Sequence, residues 1–131
     1  MAVTGTYHHV HLISHDPDAA ADWYVRALGG QVQKRAEVKG ARNVQLKVGE
    51  SNFYIRGVRP GESVVSLSGQ TALGVHHLGL WVDDIEASIR QFVQAGGDLV
   101  EPVSTGTTGN IVAFVRGPDG VLIEFLQPPK R

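Results

Sequence analysis

The stretch HHVHLISHDPDAAADWYVRALGG at residues 8–30 decides the fold, because a similar stretch, HHLGLWVDDIEASIRQFVQAGG, follows at residues 76–97. His9 and His77 lie 77 − 9 = 68 positions apart, and the glycine pairs that end the two stretches lie 96 − 29 = 67 apart. GESNFYIRG and DGVLIEFLQ, which begin at residues 49 and 119, are offset by 119 − 49 = 70. Such nearly constant offsets indicate two copies of one supersecondary unit.

Each copy has the pattern of a strand, a helix and three further strands. Alternating apolar and polar residues predict the first strand in YHHVHLI, residues 7–13. Asp16-Pro17 is typical of a helix start and Gly29-Gly30 of a helix end. In the second copy, Asp83 with Glu86 predicts a capping box, and His77 is placed in the fifth strand. The other strands are predicted at 31–38, 43–48, 52–56, 98–103, 111–116 and 121–127, with a tight turn at 117–120.

These elements predict an α+β fold in a single domain of residues 1–131. Two βαβββ modules are expected to form a cupped mixed sheet with helices on its outer face. Module one spans about residues 5–57 and module two about 74–128. A Gly- and Ser-rich connector spans about residues 58–73 between them.

Composition narrows the classes of function. The chain has no cysteine, which excludes disulfides, thiolate ligands and a cysteine nucleophile. Twelve Lys and Arg against thirteen Asp and Glu leave a formal net charge of −1, and neither sign forms a patch, so no nucleic-acid or membrane partner is expected. With no signal-like N-terminus, a cytoplasmic location is expected.

One face of the predicted sheet is unusually polar. The alternation that points Val10 and Leu12 toward the helix leaves His9 and His11 on the other face. The same reasoning, strand by strand, brings further side chains to that face: Gln45, Lys47, Tyr54, Arg56, His77, Trp81 and Glu124.

Glu124 is the most informative of these residues. Its neighbours are apolar (LIEFL at 122–126), and a carboxylate in such surroundings needs a cation or hydrogen-bond donors. Two neutral imidazoles with one carboxylate suit a divalent metal and leave coordination positions open. A metal-free binding cup with a polar floor is the alternative interpretation.

Three motifs carry a family resemblance: H-V-x-L at 9–12, H-L-G-L-W-V-D-D at 77–84 and G-P-D-G-x-x-I-E-F at 117–125. With the paired βαβββ units, they resemble the vicinal-oxygen-chelate superfamily, which includes glyoxalase I, extradiol dioxygenases and bleomycin resistance proteins. The resemblance implies that His9, His77 and Glu124 bind one divalent metal ion per site. Fe²⁺ is favoured, with Mn²⁺, Zn²⁺ or Ni²⁺ as alternatives.

The resemblance also shows one departure. Glyoxalase I supplies a Glu or Gln in the fourth strand, where this chain has Tyr54. The remaining three-ligand set resembles that of the dioxygenases, so dioxygenase or lyase chemistry on a small vicinal-oxygen compound is expected. A glyoxalase-like lyase or isomerase that uses Tyr54 or His11 instead of the missing carboxylate is the alternative enzyme. A drug-binding resistance protein without chemistry is the alternative from another class.

The remaining expectations concern substrate and assembly. Gln45, Arg56, Trp81 and Arg116 are the candidate substrate-binding residues. A homodimer is expected, because family members cover their sheet edges by pairing chains. The sequence leaves open whether one site uses modules from one chain or from two.

Overall fold

The computed structural model describes residues 2–66 and 71–129 of the chain. The part of the predicted connector at 67–70 therefore lies outside the described residues. The chain divides into two compact units, Met1–Val64 and Val65–Arg131, and the division falls within the predicted connector.

Unit 1 is a four-stranded mixed sheet with one helix. Its elements are β1 (His9–Ile13), α1 (Pro17–Leu28), β2 (Gln31–Val38), β3 (Ala41–Val48) and β4 (Ser51–Arg56). The strand order is β1-β4-β3-β2, in which β1 runs parallel to β4 and the other pairs are antiparallel. The register places His11 opposite Tyr54, and Tyr54 opposite Gln45.

Unit 2 repeats this arrangement. Its elements are β5 (Leu78–Trp81), α2 (Ile85–Gln94), β6 (Asp98–Thr105), β7 (Ile111–Arg116) and β8 (Leu122–Gln127), with a short 3₁₀ turn at Pro118–Gly120. The strand order is β5-β8-β7-β6, with β5 parallel to β8. The α+β class and the paired βαβββ modules are thus confirmed.

The helix ends follow local chemistry, with one correction. Asp16 caps α1 by accepting a hydrogen bond from the Ala19 N–H at 3.1 Å. The predicted Asp83–Glu86 capping box is wrong, because the cap of α2 is Asp84, whose side chain accepts from the Ala87 N–H at 3.1 Å. Starting one residue later leaves Ile85 as the first helical residue and buries it. Within residues 2–66 and 71–129, no helix is long and apolar enough to cross a membrane.

Each helix covers one face of its own sheet. In unit 1, Tyr24 of α1 packs edge-to-face on Phe53 of β4, with ring centroids 5.8 Å apart. In unit 2, Phe92 of α2 packs in the same way on Phe125 of β8 at 5.6 Å. Alternate strand residues are buried beneath the helices, and the residues between them face the other side of the sheet. The buried residues include Val44, Leu46, Phe53, Ile55, Ile123 and Phe125.

Candidate functional site

Glu124 and His77 lie together in unit 2, on the sheet face opposite α2. Because Ile123 and Phe125 are buried, the alternation of β8 turns Glu124 to the other face. The prediction that His77 lies in the fifth strand is wrong by one residue, because β5 begins at Leu78 and His77 immediately precedes it. Its Nε2 atom lies 3.4 Å from the Glu124 Oε1 atom, and its ring contacts Phe114 edge-on at 5.0 Å. The Glu124 side chain is only 18% exposed, so a nearby cation would offset its desolvation.

The spacing of these two donor atoms fits a divalent metal. Imidazole nitrogen and carboxylate oxygen bind zinc-like ions at about 2.0–2.2 Å, which places two ligands of a tetrahedral ion about 3.4 Å apart. The distance between His77 Nε2 and Glu124 Oε1 is 3.4 Å. The separation of these two atoms is therefore compatible with their serving as two ligands of one ion.

The other nitrogen of His77 is already hydrogen-bonded. His76 Nδ1 lies 2.9 Å from His77 Nδ1. If His77 Nε2 is to bind a cation, it must be unprotonated, so the proton must sit on Nδ1 and be donated to His76. Such a bond to the distal ring nitrogen orients a metal-binding histidine.

Unit 1 contains the same histidine pair in a different setting. His8 Nδ1 lies 2.8 Å from His9 Nδ1, which leaves His9 Nε2 available. The His9 ring stacks on Tyr54 with centroids 4.4 Å apart and an interplanar angle of 28°. His11 meets the same Tyr54 ring edge-on at 6.0 Å. Tyr54 therefore orders both imidazoles of β1.

His11 is electrostatically distinct from its neighbours. Burial lowers the pKa of His11, and the positive charges of His9, Arg56 and Arg59 lower it further. Its imidazole is therefore neutral at neutral pH and can accept a proton.

Gly79 lies beside Glu124, and a side chain at this position would crowd its neighbours. It is paired with Glu124 in the sheet, and a Cβ at this position would lie 3.8 Å from Glu124 Oε1 and 3.2 Å from Leu126 Cδ1. The repeat places His11 of unit 1 at the position corresponding to Gly79. The carboxylate of unit 2 therefore has a glycine beside it, whereas unit 1 carries an imidazole at the matching point.

The four predicted substrate-binding residues differ in availability. Arg56 is engaged by a bidentate ion pair with Glu62, at 2.7 and 2.9 Å. Arg116 donates to the Gly120 carbonyl at 2.9 Å, within the turn before β8. Gln45 and Trp81 are exposed, Trp81 to 67%.

The third predicted ligand lies in the other unit. His9 belongs to unit 1, whereas His77 and Glu124 belong to unit 2. Among residues 2–66 and 71–129, no three His, Cys, Asp or Glu side chains are grouped so that they could hold a metal ion. The structure thus brings together two of the three predicted ligands.

Sequence reasoning gave little weight to several residues that take part in these contacts. His8 and His76 had signals in the sequence, because each precedes a candidate ligand at the same position of the repeat. No sequence pattern indicated the ion pair between Arg56 and Glu62, since this pair depends on how the chain turns after β4.

Comparison with known proteins gives the family. The chain matches the Glyoxalase/Bleomycin resistance protein/Dioxygenase superfamily over residues 6–125, and it belongs to that superfamily. A curated relative from Vibrio parahaemolyticus, named "Probable lactoylglutathione lyase", is 31% identical over 118 residues, which cover 86% of this chain and 83% of the relative.

Solved structures agree on the fold. TioX from Micromonospora sp. ML1 is 28% identical, with a TM-score of 0.70 over 95% of this chain and 100% of that one. A glyoxalase family protein from Enterococcus faecalis is 27% identical, with a TM-score of 0.77 over 92% and 96% of the two chains.

Proposed function

We propose that this protein is a metal-dependent lyase of the glyoxalase type that acts on a small molecule with two adjacent oxygen atoms. The observation that carries the proposal is the 3.4 Å spacing of His77 Nε2 and Glu124 Oε1. The name of the Vibrio relative supports lyase chemistry rather than the dioxygenase chemistry that the three-ligand set suggested.

In this proposal, His77 and Glu124 would hold one divalent ion, and His9 of the same chain or of a second copy would complete the ligand set. A divalent ion held there would supply Lewis acidity toward the oxygens of a bound substrate. Because residue 79 is glycine, no side chain from this position covers the Glu124 carboxylate, whose Oε1 atom would lie 3.8 Å from a Cβ there. His76 keeps His77 in the tautomer that binds through Nε2.

The proton acceptor in this proposal is His11. A lyase or isomerase of this type must move a proton at carbon, and the fourth-strand position that carries Glu or Gln in the resembled enzymes holds Tyr54 here. An uncharged phenol accepts protons poorly, whereas a neutral imidazole accepts them well. His11 shares the Tyr54 ring with His9 and is a part-buried imidazole on the same strand face.

One observation favours a second candidate, an extradiol-type dioxygenase. Tyr54 stacks flat on His9 instead of offering a carboxylate as a fourth ligand. A three-ligand site leaves several adjacent positions for a bidentate substrate and oxygen. This candidate needs Fe²⁺, whereas the lyase can use Ni²⁺ or Zn²⁺.

The test separates the two reactions and the binding-only alternative. Protein purified without a His-tag is analysed for metal, stripped with chelator and reloaded with each metal. The lyase predicts turnover of the hemithioacetal of methylglyoxal and glutathione, lost in Glu124→Gln and retained in Glu101→Gln on the exposed strand β6. Oxygen uptake with catechol and Fe²⁺, without hemithioacetal turnover, would establish the dioxygenase instead. Absence of stoichiometric metal binding would reject both enzymes.

A further inference from the structure

A rigid turn follows β4 in unit 1. Arg59, Pro60, Gly61 and Glu62 form a type II β-turn, with Gly61 at φ +79 and the Glu62 N–H donating to the Arg59 carbonyl at 3.1 Å. A Cβ at Gly40 would lie 2.9 Å from Pro60, so the absence of a side chain there lets the turn pack against the β2–β3 hairpin. The backbone that carries Arg59 is thus held at both ends of the turn.

The Glu62 carboxylate stabilises this turn and neutralises the charge of Arg56. It accepts from both terminal nitrogens of Arg56, at 2.7 and 2.9 Å, and from the Arg59 backbone N–H at 2.8 Å. The charges of Arg56 and Glu62 therefore cancel. The charge of the Arg59 guanidinium remains.

The Arg59 side chain lacks the partners that a part-buried arginine normally has. Its Nε atom is buried and has no hydrogen-bond partner, and its guanidinium forms no ion pair, within the described residues. Buried donors are nearly always hydrogen-bonded, and a buried cationic donor most of all. An exception such as Arg59 needs an explanation, and a bound ion or ligand that supplies the missing acceptor is one.

We propose that Arg59 binds a carboxylate group of a small molecule. A guanidinium pairs with carboxylates through parallel N–H···O bonds, and one uncompensated positive charge matches one carboxylate better than a doubly charged phosphate. Because the Arg59 backbone is fixed before binding, little ordering is needed when the anion arrives.

Arg59 acts electrostatically on His11 of the same unit. Arg59 and Arg56 are among the charged groups whose fields reach the His11 imidazole. All of these residues belong to unit 1, so the proposal stands independently of the metal and of the reaction proposed above.

The experiment uses the full chain, stripped of metal with chelator and labelled with ¹⁵N. Sodium acetate is titrated at constant ionic strength, kept with sodium chloride, while the Nε–H resonance of Arg59 is followed. A saturable shift of this resonance is expected, with inorganic phosphate binding no more tightly than acetate. Lack of a saturable shift would overturn the proposal, and tighter phosphate binding would overturn its assignment to a carboxylate.

Matched variants complete the test. Arg59→Ala should weaken acetate binding by about tenfold or more, as expected for loss of a charge-assisted pair. Arg59→Lys should retain part of the affinity, and Arg90→Ala, at an exposed position of α2, should retain all of it. Equal acetate affinity in Arg59→Ala and the unaltered protein would refute the proposal. If circular dichroism shows that Arg59→Ala does not fold, the proposal is still tested by the Arg59 resonance of the unaltered protein and by the acetate affinity of Arg59→Lys.

Discussion

Replacing His76 with alanine tests whether the paired histidines orient a metal ligand. The change removes the Nδ1 atom that lies 2.9 Å from His77 Nδ1 and leaves His77 and Glu124 in place. Loss of such an outer partner weakens metal binding by about 10- to 100-fold. Because His76 is exposed, water can replace part of the lost bond, and the expected loss is about tenfold, or about 1.4 kcal/mol. Removing the ligand itself in His77→Ala should cost more than about 100-fold.

The assay is competition for Zn²⁺ against a chromophoric chelator at pH 7, with protein purified without a His-tag. Val75→Ala is the matched control, because Val75 adjoins His76 and is 84% exposed. If His76→Ala and Val75→Ala bind zinc equally well, the histidine pair does not orient the ligand. If His77→Ala keeps the wild-type affinity, His77 is not a ligand, and the proposed metal site is wrong.

Four further predictions follow from other parts of the structure. Tyr54→Phe should keep the metal affinity of the wild type, whereas Tyr54→Glu should raise it by adding a ligand, as the same zinc competition will measure. Hydrogen bonds from Arg56 lower the pKa of Glu62 to about 2, so the stability from this pair is complete above pH 4.5 and is lost as the pH falls towards 2. The ¹³C NMR titration midpoint of Glu62 should therefore lie near 2 and move towards 4.5 in Arg56→Gln; an unmoved midpoint would contradict the assignment. Phe125→Ala should lower the free energy of unfolding by about 3–5 kcal/mol in urea denaturation, because Phe125 is 1% exposed and packs on Phe92. Light scattering should give a homodimer mass of 2 × 14.1 = 28.2 kDa, and a mass near 14.1 kDa at micromolar concentration would exclude the dimer.

Local patterns were sufficient for most of the secondary structure. Strands β2 (Gln31–Val38) and β7 (Ile111–Arg116) begin and end at the predicted residues, and Asp16 caps α1 as predicted. These features depend on alternation along a strand or on a side chain that reaches its own helix, so neighbouring residues determine them. The internal repeat also predicted that the two modules share one fold, because nearly constant offsets between matching segments indicate two copies of one unit.

The errors lay at the boundaries of secondary-structure elements. Asp83 and Asp84 are adjacent and both can cap a helix, and the choice of Asp84 buries Ile85 against the sheet. The predicted strand at 98–103 extends to Thr105 in the structure, since its pairing with β7 continues to the partner of Ile111. In both cases a contact with another element decided the boundary.

The sequence by itself determined the repeat, the two βαβββ modules and, within each module, the sheet face to which residues such as His9 and Glu124 belong, because a strand's alternation fixes its faces before it pairs. Only the tertiary structure decided the contacts of these side chains. It set His77 3.4 Å from Glu124, tied Arg56 to Glu62 and left the Arg59 guanidinium without an ion pair among the described residues. Such contacts join residues far apart in the chain or across a turn, and their distances depend on strand register and turn geometry, which short-range patterns do not encode.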